Sequence, residues 1–552
     1  MRFSYKYAGH SQINGSARQT SMSFVPDALR DPTFFVGDLN QKIPFREAMS
    51  ALHDVVVSDL RFKPKDKTAY KTWLKQQEDI WLANAMAGKA DVQARLKNIQ
   101  EELKVVRGQK DKLMAPFYRA RQQYFDYIYQ RDRAAWYVLD PVITVHPDEL
   151  FFECFSEDES TYARLGCNYN VFSHINEFAC GTTNIDYSQS LYDEFQKIRT
   201  YKDTHFKIDP GGFEVATTGE DQYREVKIDL PDSWVRGFLQ VSSAMTLPGH
   251  TLDLHPMDLY SICLFLRQHK ARRSPRSMRF VLEPGQPIQI IFEPWNHVIT
   301  CHRSIYQGSD SAEIRVWGRR RLLVLERLIP IAQHVRIHLL GTGLPSFYSV
   351  DLGDMHFMLG LSGWTSNDWS RMGHFDLMAP RKEVGYGIKQ KVIQSMTQQY
   401  VSSVSALSND LNIPADQVEA ALTAFTQAGR VMYDLNQQVY RLRELSQEPL
   451  KMETLRFADE REQEANTIID SGKLRVKKSV DLMGNQLLEG VVRYSGKYWE
   501  SSIKLDAEQR MTDGSCTCGY YIQNKLHRGP CPHMLALRIK HQKNQKPFFH
   551  LQ

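Results

Sequence analysis

Cys516-Thr517-Cys518 and, after a gap of twelve residues, Cys531-Pro532-His533 gather three thiols and an imidazole in one short stretch. The 552-residue chain has eight cysteines, one per 69 residues if evenly spread, so three between 516 and 531 is a concentration that asks for a reason. Two cysteines two apart in extended chain point to the same side, and a small turn would bring both sulfurs within ~2.3 Å of one ion. Pro532 suits the first position of a helix, which would present Cys531 and His533 from its start. A Cys3His set fills all four tetrahedral positions, as structural zinc requires, whereas catalytic zinc keeps one open. Thiolate softness favours zinc over magnesium or calcium. The expectation is one structural Zn2+ on Cys516, Cys518, Cys531 and His533. His527 is an alternative fourth ligand, and the tight Cys-x-His step favours His533.

The elements that must hold these ligands are readable around them. Leu488–Tyr494 and Tyr498–Leu505 flank a Ser495-Gly496 turn and read as a hairpin, with Met511 beyond it. Met534-Leu-Ala-Leu-Arg-Ile539 continues the helix, with Leu535, Leu537 and Ile539 apolar. From Gly514 to Gln552 the chain carries Lys525, Arg528, Arg538, Lys540, Lys543 and Lys546 and no acid. Tyr520, Tyr521, Phe548 and Phe549 lie among them. This local +6 is the one place where non-specific, salt-sensitive DNA or RNA contact is expected, with a merely solubilising tail as the plainer alternative.

Cys-x-Cys, twelve residues, Cys-x-His, after a hairpin and before a Leu-Ala-Leu helix, resembles the SWIM zinc finger over residues 487–552. Phe45–Arg61, Leu340–Phe347 and Leu359–Trp369 are similar to segments of large bacterial SWIM-containing proteins. That resemblance implies association with MoxR-type AAA ATPases and von Willebrand factor A proteins in chaperone or conflict systems. It carries over the four zinc ligands and no catalytic residue.

Upstream, residues 68–138 read as a helical hairpin. Val92, Leu96, Ile99, Leu103, Val106 and Leu113 form a seam, and Pro116 restarts the helix. Residues 61–136 hold 17 basic and 9 acidic residues, a net +8. Residues 1–67 form an N-terminal α+β segment, and 139–385 a β-rich body with strands at Val142–Val145, Phe280–Leu282, Ile288–Phe292, His297–Thr300, Glu313–Trp317, Val335–Leu340 and Phe347–Val350. Helices are expected at Ser190–Arg199, Pro256–Arg267 and Arg320–Ile329. Six basic residues and no acid lie between Arg267 and Arg279, a solvated loop or an anion contact. Residues 386–445 show three helices and a hairpin, resembling a winged helix-turn-helix. Its third helix turns Asp416, Gln417, Glu419, Thr423 and Gln427 outward and lacks the Lys and Arg that phosphate and guanine contacts need, which favours protein docking over DNA. Residues 446–486 read as a polar connector.

Composition agrees with a globular multidomain α+β protein: 42% hydrophobic, 24% charged, net charge +5. No apolar run reaches the ~18–20 residues of a membrane helix and the first residues do not read as a signal peptide, so a cytoplasmic protein with reduced thiols is expected. There is no Gly-x4-Gly-Lys-Ser/Thr loop, His-Glu-x-x-His or Gly-x-Ser-x-Gly. Gly341-Thr-Gly343 reads as a turn, and Trp364, Asn367, Asp368 and Trp369 as a capped turn with core tryptophans. Cys301-His302 is a weak second metal candidate, and Cys154, Cys167, Cys180 and Cys263 read as ordinary buried thiols. The function expected is non-enzymatic: a zinc-binding adaptor whose finger recognises a partner protein or, alternatively, nucleic acid.

Overall fold

The computed structural model describes residues 12–15, 19–24, 34–58, 141–175, 178–184, 192, 195–196, 198–201, 203–208, 232–272, 275–364, 367–370, 373–379, 382, 384–445, 460–472, 474–480, 485–494, 497–506 and 510–544. The chain divides into two compact units, residues 1–58 with 139–552, and 59–138. The expected helical hairpin at 68–138, with its Val92–Leu113 seam, lies outside the described residues.

The largest element is an eight-stranded antiparallel sheet, in the order His250–Leu254, His334–Leu339, Ser346–Asp351, Met355–Leu361, Thr161–Asn168, Glu149–Phe155, Val142–Val145, Gly181–Asn184. Its middle strands are buried on both faces. Leu150, Phe152 and Cys154 face the helix Lys42–Val56: Phe45 packs edge-on against Phe152, and the Cys154 thiol donates to Leu52 O. Phe151, Glu153 and Phe155 face the other way, and Phe155 meets Trp234 and Phe238 of the helix Asp232–Met245. A strand covered on both sides loses the alternation that betrays a half-buried one. That is why Glu149–Phe155, Thr161–Asn168 and Met355–Leu361, buried along nearly their whole length, are not apparent from sequence pattern. Some of the strands that are apparent keep their alternation, as at Met278–Leu282 and Pro287–Phe292, whereas Val142–Val145 is buried throughout and is apparent from its β-branched residues.

A four-stranded sheet, His297–Ile305, Pro287–Phe292, Met278–Leu282, Ala312–Val316, carries the helix Pro256–Gln268. The helix expected at Arg320–Ile329 is present as 3-10 turns over Arg319–Ile331. Tyr386–Gln399, Val404–Leu411 and Ala415–Gln427 are helices with their own core of Val392, Met396, Leu407, Val418, Leu422 and Val431. They close on a three-stranded sheet of Val401–Ser402, Val439–Leu442 and Val431–Asp434. One expectation fails here. Thr423 and Gln427 of the third helix are buried, 4% exposed each, and Gln427 Nε2 donates to Asp376 O at 3.5 Å. The body covers that side at Thr423 and Gln427, whereas Asp416 at the start of the helix is exposed and Gln417 and Glu419 are half-buried.

The last sheet has four strands, Leu474–Val480, Gln486–Tyr494, Lys497–Leu505 and Met511–Cys516. It begins inside the stretch that composition reads as a connector, which also holds the helix Glu460–Asp470. No helix among the described residues is long and apolar enough to cross a membrane.

Candidate metal centre

Each ligand of the Cys3His set is delivered by the end of an element. Cys516 ends the strand Met511–Cys516, an edge of the last sheet, pinned at Ser501 of its neighbour. Cys518 caps the short helix Gly519–Asn524, its sulfur accepting from Tyr521 N at 3.4 Å. Cys531 and His533 flank Pro532 at the start of Pro532–Asn544, where Leu535 N donates to Cys531 O at 3.1 Å. This helix lies close against the sheet. A side chain at Gly490 would collide with Leu537, so the glycine sets the spacing between the helix and its sheet.

One candidate ligand atom from each of Cys516, Cys518, Cys531 and His533 lies within 4.8 Å of the others, and all four residues are buried. Tetrahedral zinc with ~2.3 Å bonds needs sulfurs a little under 4 Å apart, so small adjustments close the shell. The donor set is otherwise unused. The three thiols form no disulfide, and both ring nitrogens of His533 are buried without a hydrogen-bond partner. The sulfurs already act on one another: Cys516 and Cys531 hold the Cys518 thiol far below its ordinary value, and Cys516 and Cys518 push Cys531 up. Burial lowers the His533 imidazole, but the Cys516 and Cys518 thiols outweigh it and raise it to about 9. The four residues could together hold one metal ion. His527, the alternative ligand, is elsewhere: it packs edge-on against Trp317 and Trp364 and against Gly343.

The basic residues of this region that the structure describes do not form one surface. Lys525 is exposed with its ammonium 4.9 Å over the Tyr521 ring, and Arg528 is half-buried. Arg538 corrects the expectation of a phosphate contact. It is 2% exposed and its guanidinium donates to Leu377 O and Ala379 O. Lys540 Nζ donates to Leu474 O. The side chains of Lys543 and Lys546 lie outside the described residues.

A second cluster, Glu149, His356 and Asp434, escapes sequence reading because its members sit on separate elements. Its cations are already there. Arg164 bonds Glu149 and lies 3.2 Å from Asp434; Arg441 meets Asp434 at 2.9 Å and Glu149 at 3.1 Å. Two buried carboxylates and two buried guanidinia balance, and this donor set does not fit a metal ion. Burial lowers His356, and His146 beside Arg441 falls to about 3, first by burial and then by that guanidinium, so both rings are neutral. Gly166 has no side chain because His356 occupies that space. The signal in sequence was charge inside apolar strands, Glu149 and Glu153 in Glu-Leu-Phe-Phe-Glu-Cys-Phe and Arg164 in Thr-Tyr-Ala-Arg-Leu-Gly-Cys-Asn.

The weaker candidates resolve. Cys301 is buried and His302 exposed, as neighbours on a strand must be, so they share no site. Trp369 is core, whereas Trp364 is 39% exposed and stacks on Trp317 at 4.9 Å. Asn367 ties this turn to the segment between Cys518 and Cys531 by donating to His527 O.

No family model matches the sequence, and no curated protein matches it. Among solved structures, the chain is similar over 41% of its length to proliferating cellular nuclear antigen from Entamoeba histolytica, covering 89% of that chain at 9% identity and a TM-score of 0.29. It is similar over 42% to a chain in the structure of the C-terminal region of FEN-1 bound to A. fulgidus PCNA, covering 91% of it at 12% identity and a TM-score of 0.29. At these scores the likeness carries no argument about fold or function.

Proposed function

We propose that this chain is a non-enzymatic adaptor with a SWIM-type finger held by one structural Zn2+. The observation that supports this reading is the closed donor set: three cysteines and a histidine within 4.8 Å leave no coordination position for a substrate. The winged-helix reading of 386–445 is supported by the order helix, strand, helix, helix, hairpin. The partner we propose is a MoxR-type AAA ATPase or von Willebrand factor A protein, on the resemblance of the Phe45–Arg61, Leu340–Phe347 and Leu359–Trp369 segments. A cytoplasmic setting is supported by eight cysteines that are all free thiols. Nucleic acid is the lesser reading, because Arg538 and Lys540 are spent on backbone carbonyls.

The finger and the adaptor role are tested separately. Purified full-length protein is expected to hold one equivalent of zinc by elemental analysis, and Cys516→Ser to lose it. Wild-type protein with less than about half an equivalent, prepared without chelators, sinks the finger. Affinity capture with the whole chain, at low and high salt, tests the adaptor; recovery of nucleic acid in place of protein would reverse the order of the two readings.

A further inference from the structure

Fifteen large apolar residues are exposed among the described residues, and six of them fall between 257 and 305: Met257, Tyr260, Leu264, Trp295, Val298 and Ile305. Their placement follows a pattern. Met257, Tyr260 and Leu264, exposed by 46, 40 and 37%, stand at i, i+3 and i+7 of the helix Pro256–Gln268, so they share one face. The opposite face is already used, with Leu259, Ile262, Cys263 and Leu266 buried. At the C-terminal end Phe265 packs against Trp295 and against His297, the first residue of the outermost strand of the four-stranded sheet, which brings the 39%-exposed Trp295 to that end of the helix. A helix with apolar residues on both faces has a second surface to cover.

The basic run singled out in the sequence begins where this stripe ends. Arg267 pairs with Glu326, and Arg279 with Glu313 and Glu293. Lys270, Arg272 and Arg276 remain exposed, and among the described residues none has a carboxylate partner. Two chemistries fit an apolar stripe with a cationic end, a nucleic acid strand or an acidic amphipathic protein segment. The side chains decide between them. Met257, Leu264 and Val298 offer no ring for a base to stack on. Tyr260 is the one ring of the stripe, and Phe265 beside it stacks on His269 at 4.2 Å and on His297 at 4.6 Å. An apolar helix face of Met257, Tyr260 and Leu264 with a cationic border fits a protein partner.

We infer that the Met257–Tyr260–Leu264 face and the Lys270–Arg272–Arg276 loop form one docking surface for an amphipathic segment of another protein whose apolar side is bordered by Asp and Glu. The inference rests on the adaptor reading and gives it a place on the molecule that is separate from the finger.

The test uses full-length protein and three fluorescent probes: a helical peptide of about 16 residues with Leu on one face and Glu on the other, the same peptide with Lys for Glu, and an oligothymidylate of about 20 nucleotides. Anisotropy is expected to show binding of the acidic peptide only. Tyr260→Glu with Leu264→Glu should weaken it at least about tenfold, as loss of anchoring side chains does. Lys270→Glu with Arg272→Glu and Arg276→Glu should transfer the preference to the basic peptide. All five positions are exposed, and unchanged zinc content verifies that the variants fold. Failure of the acidic peptide to bind, binding indifferent to both sets of changes, or an oligonucleotide that binds and is lost on charge reversal overturns the assignment. Capture with the whole chain separates this failure from that of the adaptor role. A protein retained equally by wild type and by the Tyr260/Leu264 variant keeps the adaptor and discards this surface, whereas no protein retained by wild type discards the adaptor itself.

Discussion

Asp434 and Arg441 lie on neighbouring strands of the small three-stranded sheet, yet their charges are completed by Glu149 and Arg164 from the large one. Burial pushes the Asp434 carboxyl up, but Arg164 and Arg441 overcome it and hold it well below the ordinary carboxylate range. A depressed carboxylate contributes stability above its unfolded value of about 3.9, and that contribution is lost as pH falls through the folded value. Urea midpoints of wild type are therefore expected to fall steeply below about pH 4, and Asp434→Asn to show a shallower fall from a lower plateau; identical slopes would remove Asp434 from the acid response. Arg441→Met leaves Glu149 and Asp434 short of one cation and should cost about 3–5 kcal/mol at neutral pH, more than the double variant with Asp434→Asn if the loss is an uncompensated charge. These residues also mark where sequence reading stops. The four candidate metal ligands were legible because coordination chemistry fixes their spacing within eighteen positions. Glu149 and Arg441 are 292 positions apart, and only the folded chain reveals that they meet.

At the scale of elements, amphipathic helices and several alternating strands were legible, and burial on both sides hid Glu149–Phe155, Thr161–Asn168 and Met355–Leu361. Ala415–Gln427 is the instructive case. Its apolar residues Val418, Leu422 and Phe425 lie in or against the core of the three helices, and its polar side was read as solvent-facing. The body instead covers that side near Asp376, whose carboxylate is engaged by Gln240 Nε2 at 2.7 Å. Periodicity reports which face is apolar, and says nothing about whether a polar face meets water or a hydrogen-bonding neighbour. Thr423→Lys or Gln427→Lys should therefore destabilise the protein by about 2 kcal/mol or more, because each forces a cation into a covered site. Asp416→Lys, exposed at the start of the same helix, should change stability by less than about 1 kcal/mol. Thermal unfolding with zinc-saturated protein distinguishes these cases. Equal tolerance at 416, 423 and 427 would mean that the helix is free to present its polar side to a partner.

At the scale of the molecule, the region that carries the Cys3His set is built into the body by several hydrogen bonds. Arg538 donates to Leu377 O and Ala379 O, Met511 N to Met378 O at 3.1 Å, and Arg510 Nη1 to Thr246 O at 3.0 Å. From the other side Asn367 reaches His527 O, while Arg461 binds Arg528 O at 2.9 Å. Arg538 shares the helix Pro532–Asn544 with His533, so an ion on the Cys3His set would fix the start of the element whose next turns clamp residues 377–379. Metal binding to such a set contributes folding energy, and its loss should be felt wherever the helix makes contact. Chelation is therefore expected to raise backbone hydrogen exchange in 511–544 and also in 373–379, with Lys42–Val56 and the central strands of the eight-stranded sheet unchanged. Arg538→Met should reproduce the effect at 373–379 while keeping a full equivalent of zinc, which separates the clamp from the metal. If exchange after chelation rises only within 511–544, the finger is an independent module and Arg538 a local packing residue. If both segments respond together, the zinc ligands stabilise a surface more than a hundred residues away in sequence, and the basic helix that looked like a nucleic-acid tail is the strut that couples them.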